Sequence, residues 1–140
     1  MNEHLELRYD VDGEDFISAG NASASVKKKM RWLGLPPEVI RRVSIAMYEG
    51  EINMVIHAEG GEATVEISQE SVRVILADRG PGIKDINLAM QEGYSTAPEE
   101  VRNLGFGAGM GLPNIKKYSD DLKIESTPGF GTTLTILINT

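Results

Sequence analysis

Cysteine is absent from the 140-residue chain, which excludes disulfide staples, thiolate nucleophiles and cysteine-ligated zinc. Histidine occurs twice, too seldom for most histidine-based metal triads. Cations are the minority sign: 14 Lys and Arg against 21 Asp and Glu leave a formal charge of −7. Broad attraction to nucleic acid or anionic lipid needs a basic face, so neither is an expected partner. No apolar run reaches the ~20 residues that span a bilayer, and Met1 to Asp10 lacks the basic-then-apolar order of a signal peptide. The expectation is a cytoplasmic protein with no membrane segment. What remains is ordinary. Hydrophobic residues at 41% and charged residues at 25% argue against disorder, and the length suits a single domain over residues 1–140.

Glycine is the exception, at 15 of 140 residues, about 11% against a usual ~7%. Placement matters more than number. Gly80, Gly82, Gly93, Gly105, Gly107, Gly109 and Gly111 all fall between residues 80 and 111, so one stretch of backbone is unusually permissive. Ligand chemistry is expected there.

Leu5, Leu7, Tyr9 and Val11 alternate with polar residues, the period-two pattern of an opening strand. A helical pattern follows from about Ser18 to Leu33, stopped by Gly34 and Pro36-Pro37. Pro37 suits the first turn of a second helix running to about Ala58. Val65 and Ile67, then Val72, Val74 and Leu76, read as a strand hairpin turning at Gln69-Glu70. Beyond Asp78 a short helix over 85–91 and a loop to about Met110 are expected. A helix from Leu112 to Tyr118, a strand near Leu122 to Glu125 and a last strand from Thr132 to Ile138 complete the chain. Strands flanking helices, with hairpins at the middle and the end, imply an α+β two-layer sandwich: a mixed, mainly antiparallel sheet with helices on one face.

Three groups of residues carry chemistry. Glu49 and Asn53 stand four apart on a helix, offset by about 40° and so on one face. A carboxylate can accept a proton there, while an amide oxygen is a hard ligand suited to magnesium; the same pair is also ordinary on a solvated face. Glu51 falls on a different face and is expected to be solvated. Asp78 ends an apolar strand and meets Gly80-Pro81-Gly82, where backbone can approach a flat ligand. An ionised Asp accepts only, so it can receive the amino group of a purine, or simply open a Pro-Gly turn. The run Gly105-Phe106-Gly107-Ala108-Gly109-Met110-Gly111 opens a helix, and free backbone N–H groups at a helix N-terminus can cradle phosphate without a lysine. Neither a dinucleotide fingerprint nor a Gly-Lys-Ser/Thr loop is present. Lys27-Lys28-Lys29, Arg31 and Arg41-Arg42 read as solvated helix faces or as a docking surface for an acidic partner. Trp32, Leu33 and Leu35 read as core or subunit interface.

Taken in order, Glu-x-x-x-Asn on a helix, Asp-x-Gly-x-Gly after a strand, a glycine-rich loop opening a helix, and Gly131-Thr132-Thr133 in the final hairpin resemble the GHKL ATP-binding superfamily of gyrase, MutL and histidine kinases. Two segments, Glu92-Gly93-Tyr94-Ser95-Thr96 and Gly109-Met110-Gly111-Leu112-Pro113-Asn114-Ile115-Lys116-Lys117, look like its bacterial anti-sigma-factor and switch-protein serine kinases. The resemblance spans nearly the whole chain. It implies the Bergerat fold, ATP and Mg²⁺ as cofactors, and phosphorylation of a small antagonist of the STAS type that releases a sigma-factor regulatory complex. By the same resemblance Asn53 holds magnesium and Glu49 is the base for the attacking serine. Asp78 holds adenine, assisted by Gly82 and Thr133, while Gly80 and Met110 join the nucleotide site. Gly105, Gly107, Gly109 and Gly111 form a lid over the phosphates. It further implies a homodimer, and leaves open a second activity class: a nucleotide-gated protein that sequesters a sigma factor or activates a phosphatase with little transfer of its own.

Overall fold

A computed structural model describes residues 4–12, 20–56, 60–79, 111–127 and 129–140. The order of elements is β1 (His4–Asp12), α1 (Asn21–Leu33), α2 (Pro37–Ile56), β2 (Gly60–Ser68), β3 (Ser71–Asp78), α3 (Gly111–Tyr118), β4 (Asp121–Thr127) and β5 (Gly131–Asn139). The expected short helix over 85–91 and most of the glycine-rich run lie outside the described residues.

The five described strands form one sheet in the order β1-β2-β3-β5-β4, and every described pairing is antiparallel. Alternation along the strands sets its two faces. Val65, Val72, Val74, Ile136 and Ile138 are fully buried on one side, while their neighbours Glu66, Arg73 and Leu137 are only partly covered or exposed on the other. Helices therefore pack on a single face, as in the two-layer sandwich expected.

Helix α1 ends as glycine dictates. Gly34 adopts the left-handed conformation, φ +79°, and its N–H reaches the Arg31 carbonyl. Leu35 N–H returns to Met30 O at 3.2 Å, a Schellman closure open to a residue without Cβ. Pro36 then caps α2, accepting from Ile40 N–H, with Pro37 in its first turn. Val26 and Met30 of α1 and Val43, Ala46 and Met47 of α2 are fully buried, and each large side chain so placed contributes roughly 1.5–3 kcal/mol of burial. At the glycine between Glu49 and Glu51 the packing is close: a Cβ on Gly50 would overlap the Leu76 side chain of β3. The missing side chain lets α2 lie close on the sheet beneath it.

Two side chains expected to be solvated are instead built into this frame. Glu51 is 2% exposed and accepts three backbone hydrogen bonds at the start of α1, from Gly20, Ala22 and Ser23 at 2.9, 3.1 and 2.9 Å. Helix α1 has no local side-chain cap, since Gly20 occupies that position, and a carboxylate from α2 takes its place. Arg42 differs from its neighbour Arg41, which pairs on the surface with Glu38. It donates to the last carbonyl of α3, at Tyr118, and pairs with Asp120 at 3.1 Å, while Asp120 accepts from Asn139 N–H. One arginine thereby ties α2 to α3 and to the end of β5. Trp32, by contrast, is 87% exposed and belongs to no core.

Candidate nucleotide site

Helix α2 and the end of β3 bring the candidate residues to one region of the sandwich. Glu49 and Asn53 both sit half-buried on α2, one turn and about 6 Å of axial rise apart. Met54, next in sequence, reaches the sheet: a Cβ placed on Gly61 would lie 2.7 Å from its Cε and 2.7 Å from the Asp78 Cα. Gly61 is the register partner of Asp78 across β2 and β3. On the opposite flank Gly131 holds φ +125°, and a Cβ there would overlap the Asp78 carbonyl oxygen. The strand end carrying Asp78 is thus flanked on both sides by glycine backbone packed so closely that a Cβ at either position would collide with it.

Asp78 is anchored as well as flanked. Its Oδ1 accepts from Thr132 N–H at 2.9 Å, so the carboxylate is held against β5. Thr132 is 6% exposed, faces the helices with Leu134, Ile136 and Ile138, and its hydroxyl lies 2.8 Å from Ser126 Oγ. Thr133, the threonine singled out from the sequence, occupies the other face of the sheet, opposite Ala77 and Glu125. Strand parity was the available signal: residues two apart share a face, which groups Thr132 with the apolar positions 134, 136 and 138.

Burial pushes the Glu49 carboxyl above the ordinary range, and a side-chain hydrogen bond from Asn114 works in the opposite direction. Asn114 lies in α3, which begins at Gly111, the last glycine of the rich run. Gly80, Gly82, Gly105, Gly107, Gly109 and Met110 lie outside the described residues. Among the described residues no cluster of three or more His, Asp and Glu could hold a metal ion. The amide oxygen of Asn53 could instead serve a hard cation brought in with phosphates, with the remaining ligands from outside the protein. A groove at the far end of the sheet is lined by Leu5, Leu33, Leu35, Pro36 and Ile67 with Ser68, Gln69 and Thr140, and contains none of the candidate residues.

Residues 18–138 match the model of the histidine kinase-like ATPase domain. The chain belongs to that family. Among its relatives is the serine/threonine-protein kinase RsbT of Bacillus subtilis, 29% identical over 94% of this chain and 93% of the kinase. An anti-sigma F factor of Clostridium acetobutylicum is 31% identical over 94% of this chain and 90% of its own length. That of Thermoanaerobacter pseudethanolicus is 37% identical over 68% and 66% respectively. The family is one of ATPase domains, so ATP is the ligand it implies. Among the described residues no helix is long and apolar enough to cross a membrane.

Proposed function

We propose that the chain, as one domain over residues 1–140, is a cytoplasmic Mg²⁺- and ATP-dependent protein serine kinase. Its substrate is a small antagonist of the STAS type within a sigma-factor partner switch. The observation that carries the reading is the state of Glu49: a half-buried carboxyl raised by desolvation toward the working range of a base, one helical turn from an amide that suits magnesium.

The residues divide the work. Asp78 takes the adenine amino group, with Gly61 and Gly131 letting the neighbouring strands close on its backbone and Thr132, in the place expected of Thr133, completing that corner. Asn53 would hold Mg²⁺, which supplies charge neutralisation on the phosphates when bound. The glycines from 105 to 111 would close over the phosphate chain. In the transfer the acceptor serine oxygen forms a bond to the γ-phosphorus while the bond from that phosphorus to the β–γ bridging oxygen breaks. ADP leaves, and the serine proton passes to Glu49. Little covalent work falls to the protein, so positioning and one proton acceptor suffice. The new phosphate, carrying about −1.5 to −2 charges, would repel the complex apart. Family resemblance favours a homodimer.

A second reading is favoured by the anti-sigma names of relatives: a nucleotide-gated protein that sequesters a sigma factor with little transfer. The test is phosphate transfer from labelled Mg-ATP into a lysate of the source cells, wild type against Glu49→Ala. An acid-stable phosphoserine band dependent on Glu49 supports the kinase. Absence of the band, with ATP-dependent partner retention intact in the variant, supports the binding switch.

A further inference from the structure

The end of the sheet farthest from Asp78 carries a second surface. Strand β3 runs eight residues from Ser71 to Asp78, so its two ends stand about 23 Å apart. At the Ser71 end α1 finishes over the groove lined by Leu5 of β1, Leu33 of α1, Leu35 and Pro36 beyond it, and Ile67 of β2. Of the five large hydrophobic side chains exposed among the described residues, Leu5, Trp32 and Leu33 gather at this end. Trp32 stands one turn from Lys28 on the outer face of α1, and Arg31 lies three residues from the same lysine. Lys29, on the side toward β1, donates to the Tyr9 hydroxyl at 3.4 Å, with its Nζ 5.6 Å from the ring centroid. Lys27, Lys28 and Arg31 form no ion pair among the described residues. Four of the chain's 14 cations thus stand on this one helix, which holds none of the 21 acids.

We propose that this surface docks an acidic segment of a partner protein that carries apolar side chains on one face: Lys28 and Arg31 meet its carboxylates, Trp32 packs on its apolar face, and the groove takes an apolar side chain. Exposed tryptophan and arginine at the rim of an apolar groove are the residue types that anchor protein interfaces. The charge is complementary to such a segment and to little else. Among the described residues lining the groove none is acidic, and Glu38, the nearest acid after α1 in sequence, is committed to Arg41. A second copy fits poorly, because a twofold axis through this face would set the α1 cations of one chain against those of the other. Nucleic acid offers no apolar side chain for the groove. An anionic bilayer is broad enough to meet the acidic remainder of the chain within a Debye length, whereas a short protein segment meets only the basic patch. The inference uses neither Glu49 nor the nucleotide, so it stands apart from the kinase reading, and a partner held here leaves the Asp78 end of the sheet open.

Trp32 is the only tryptophan of the chain, so its emission reports on this surface alone. The test titrates the purified full chain with a synthetic helical peptide of Glu, Ala and Leu whose leucines share one face, read by Trp32 emission and by anisotropy of a labelled copy of the peptide. The expected result is a saturable blue shift, with affinity falling about tenfold or more from low to high salt. Affinity should fall about tenfold or more in Trp32→Ala, in the double variant Lys28→Glu with Arg31→Glu, and for a peptide with Ser in place of Leu. Reversal of another exposed basic pair, Lys116→Glu with Lys117→Glu on α3, should leave binding within about twofold. The replaced side chains on α1 are exposed, and the salt series and the serine peptide need no variant at all. No shift with the leucine peptide overturns the proposal, as does binding that survives loss of the leucines or the charge reversal on α1. A dimer in sedimentation that Trp32→Ala dissolves would give the face to a second copy. A larger shift with phosphatidylserine-phosphatidylcholine vesicles or with duplex DNA would give it to a membrane or to nucleic acid, and either result overturns the protein segment as occupant.

Discussion

Removing the Glu51 carboxylate should unfold this protein more readily than removing an ordinary helix cap. Gly20 gives α1 no side-chain cap of its own, and the three bonds from its N-terminal amides all go to Glu51, 28 to 31 residues away in sequence. A local cap is worth about 0.5–2 kcal/mol. Here Ala22 and Ser23 are 6% and 5% exposed, so water cannot replace the lost acceptor. Each buried N–H left without a partner costs about 1–3 kcal/mol, and breaking a buried charge contact about 3–5 in all. Glu51→Ala should therefore lose about 3–5 kcal/mol. Glu51→Gln, whose single oxygen can still accept while its NH₂ confronts the remaining N–H groups, should lose about 2–3. Urea unfolding with the slope held constant measures both. Because the contact is shielded from solvent, the losses should change little between low and high salt. A Glu51→Gln loss under about 0.5 kcal/mol, within the range of a surface substitution, would refute the idea that α2 caps α1.

The remaining predictions concern the site and its supports. Gly131→Ala combines a left-handed backbone with an overlap onto the Asp78 carbonyl and should cost about 2–3 kcal/mol, seen in urea unfolding, with weakened Mg-ATP binding by calorimetry. Glu49 has a folded-state pKa raised above its unfolded value by burial, so the native state holds the proton more tightly and stability falls as pH rises through that window. Glu49→Gln should then melt higher than wild type at pH near 7, with the gap closing below about pH 4; a variant that melts lower at neutral pH would contradict the desolvation argument. Asp120 is held low by the Asn139 N–H and by Arg42, the opposite case: its contribution is present above the ordinary carboxylate range and disappears as pH falls through the depressed value. Asp120→Asn should accordingly destabilise at neutral pH and cost less on acidification, measured by thermal melts across pH.

Local rules carried the sequence reading far where the signal is short in range. Period-two alternation marks β1, the β2–β3 hairpin and β5, and the Gly34 and Pro37 signals bound α1 and α2 within a residue or two of the described ends, because these depend on backbone preferences and on which side of one element is apolar. Glu49, Asn53 and Asp78 stand where the sequence pattern put them, two half-buried on α2 and one at the end of β3. The distinction between Thr132 and Thr133 was also within reach of parity. Other roles were not. Glu49 and Glu51 are the same residue type two positions apart on one helix; one stays half-open beside Asn53 and the other is sealed against α1, because α2 presents different faces to different neighbours. Arg41 and Arg42 diverge likewise, one paired at the surface and one holding α3 and Asp120. The sequence by itself determined the elements and their candidate chemistry; which carboxylate stayed half-open and which became a cap was decided by tertiary packing, since burial and hydrogen-bond partners come from chain segments that local sequence does not bring together.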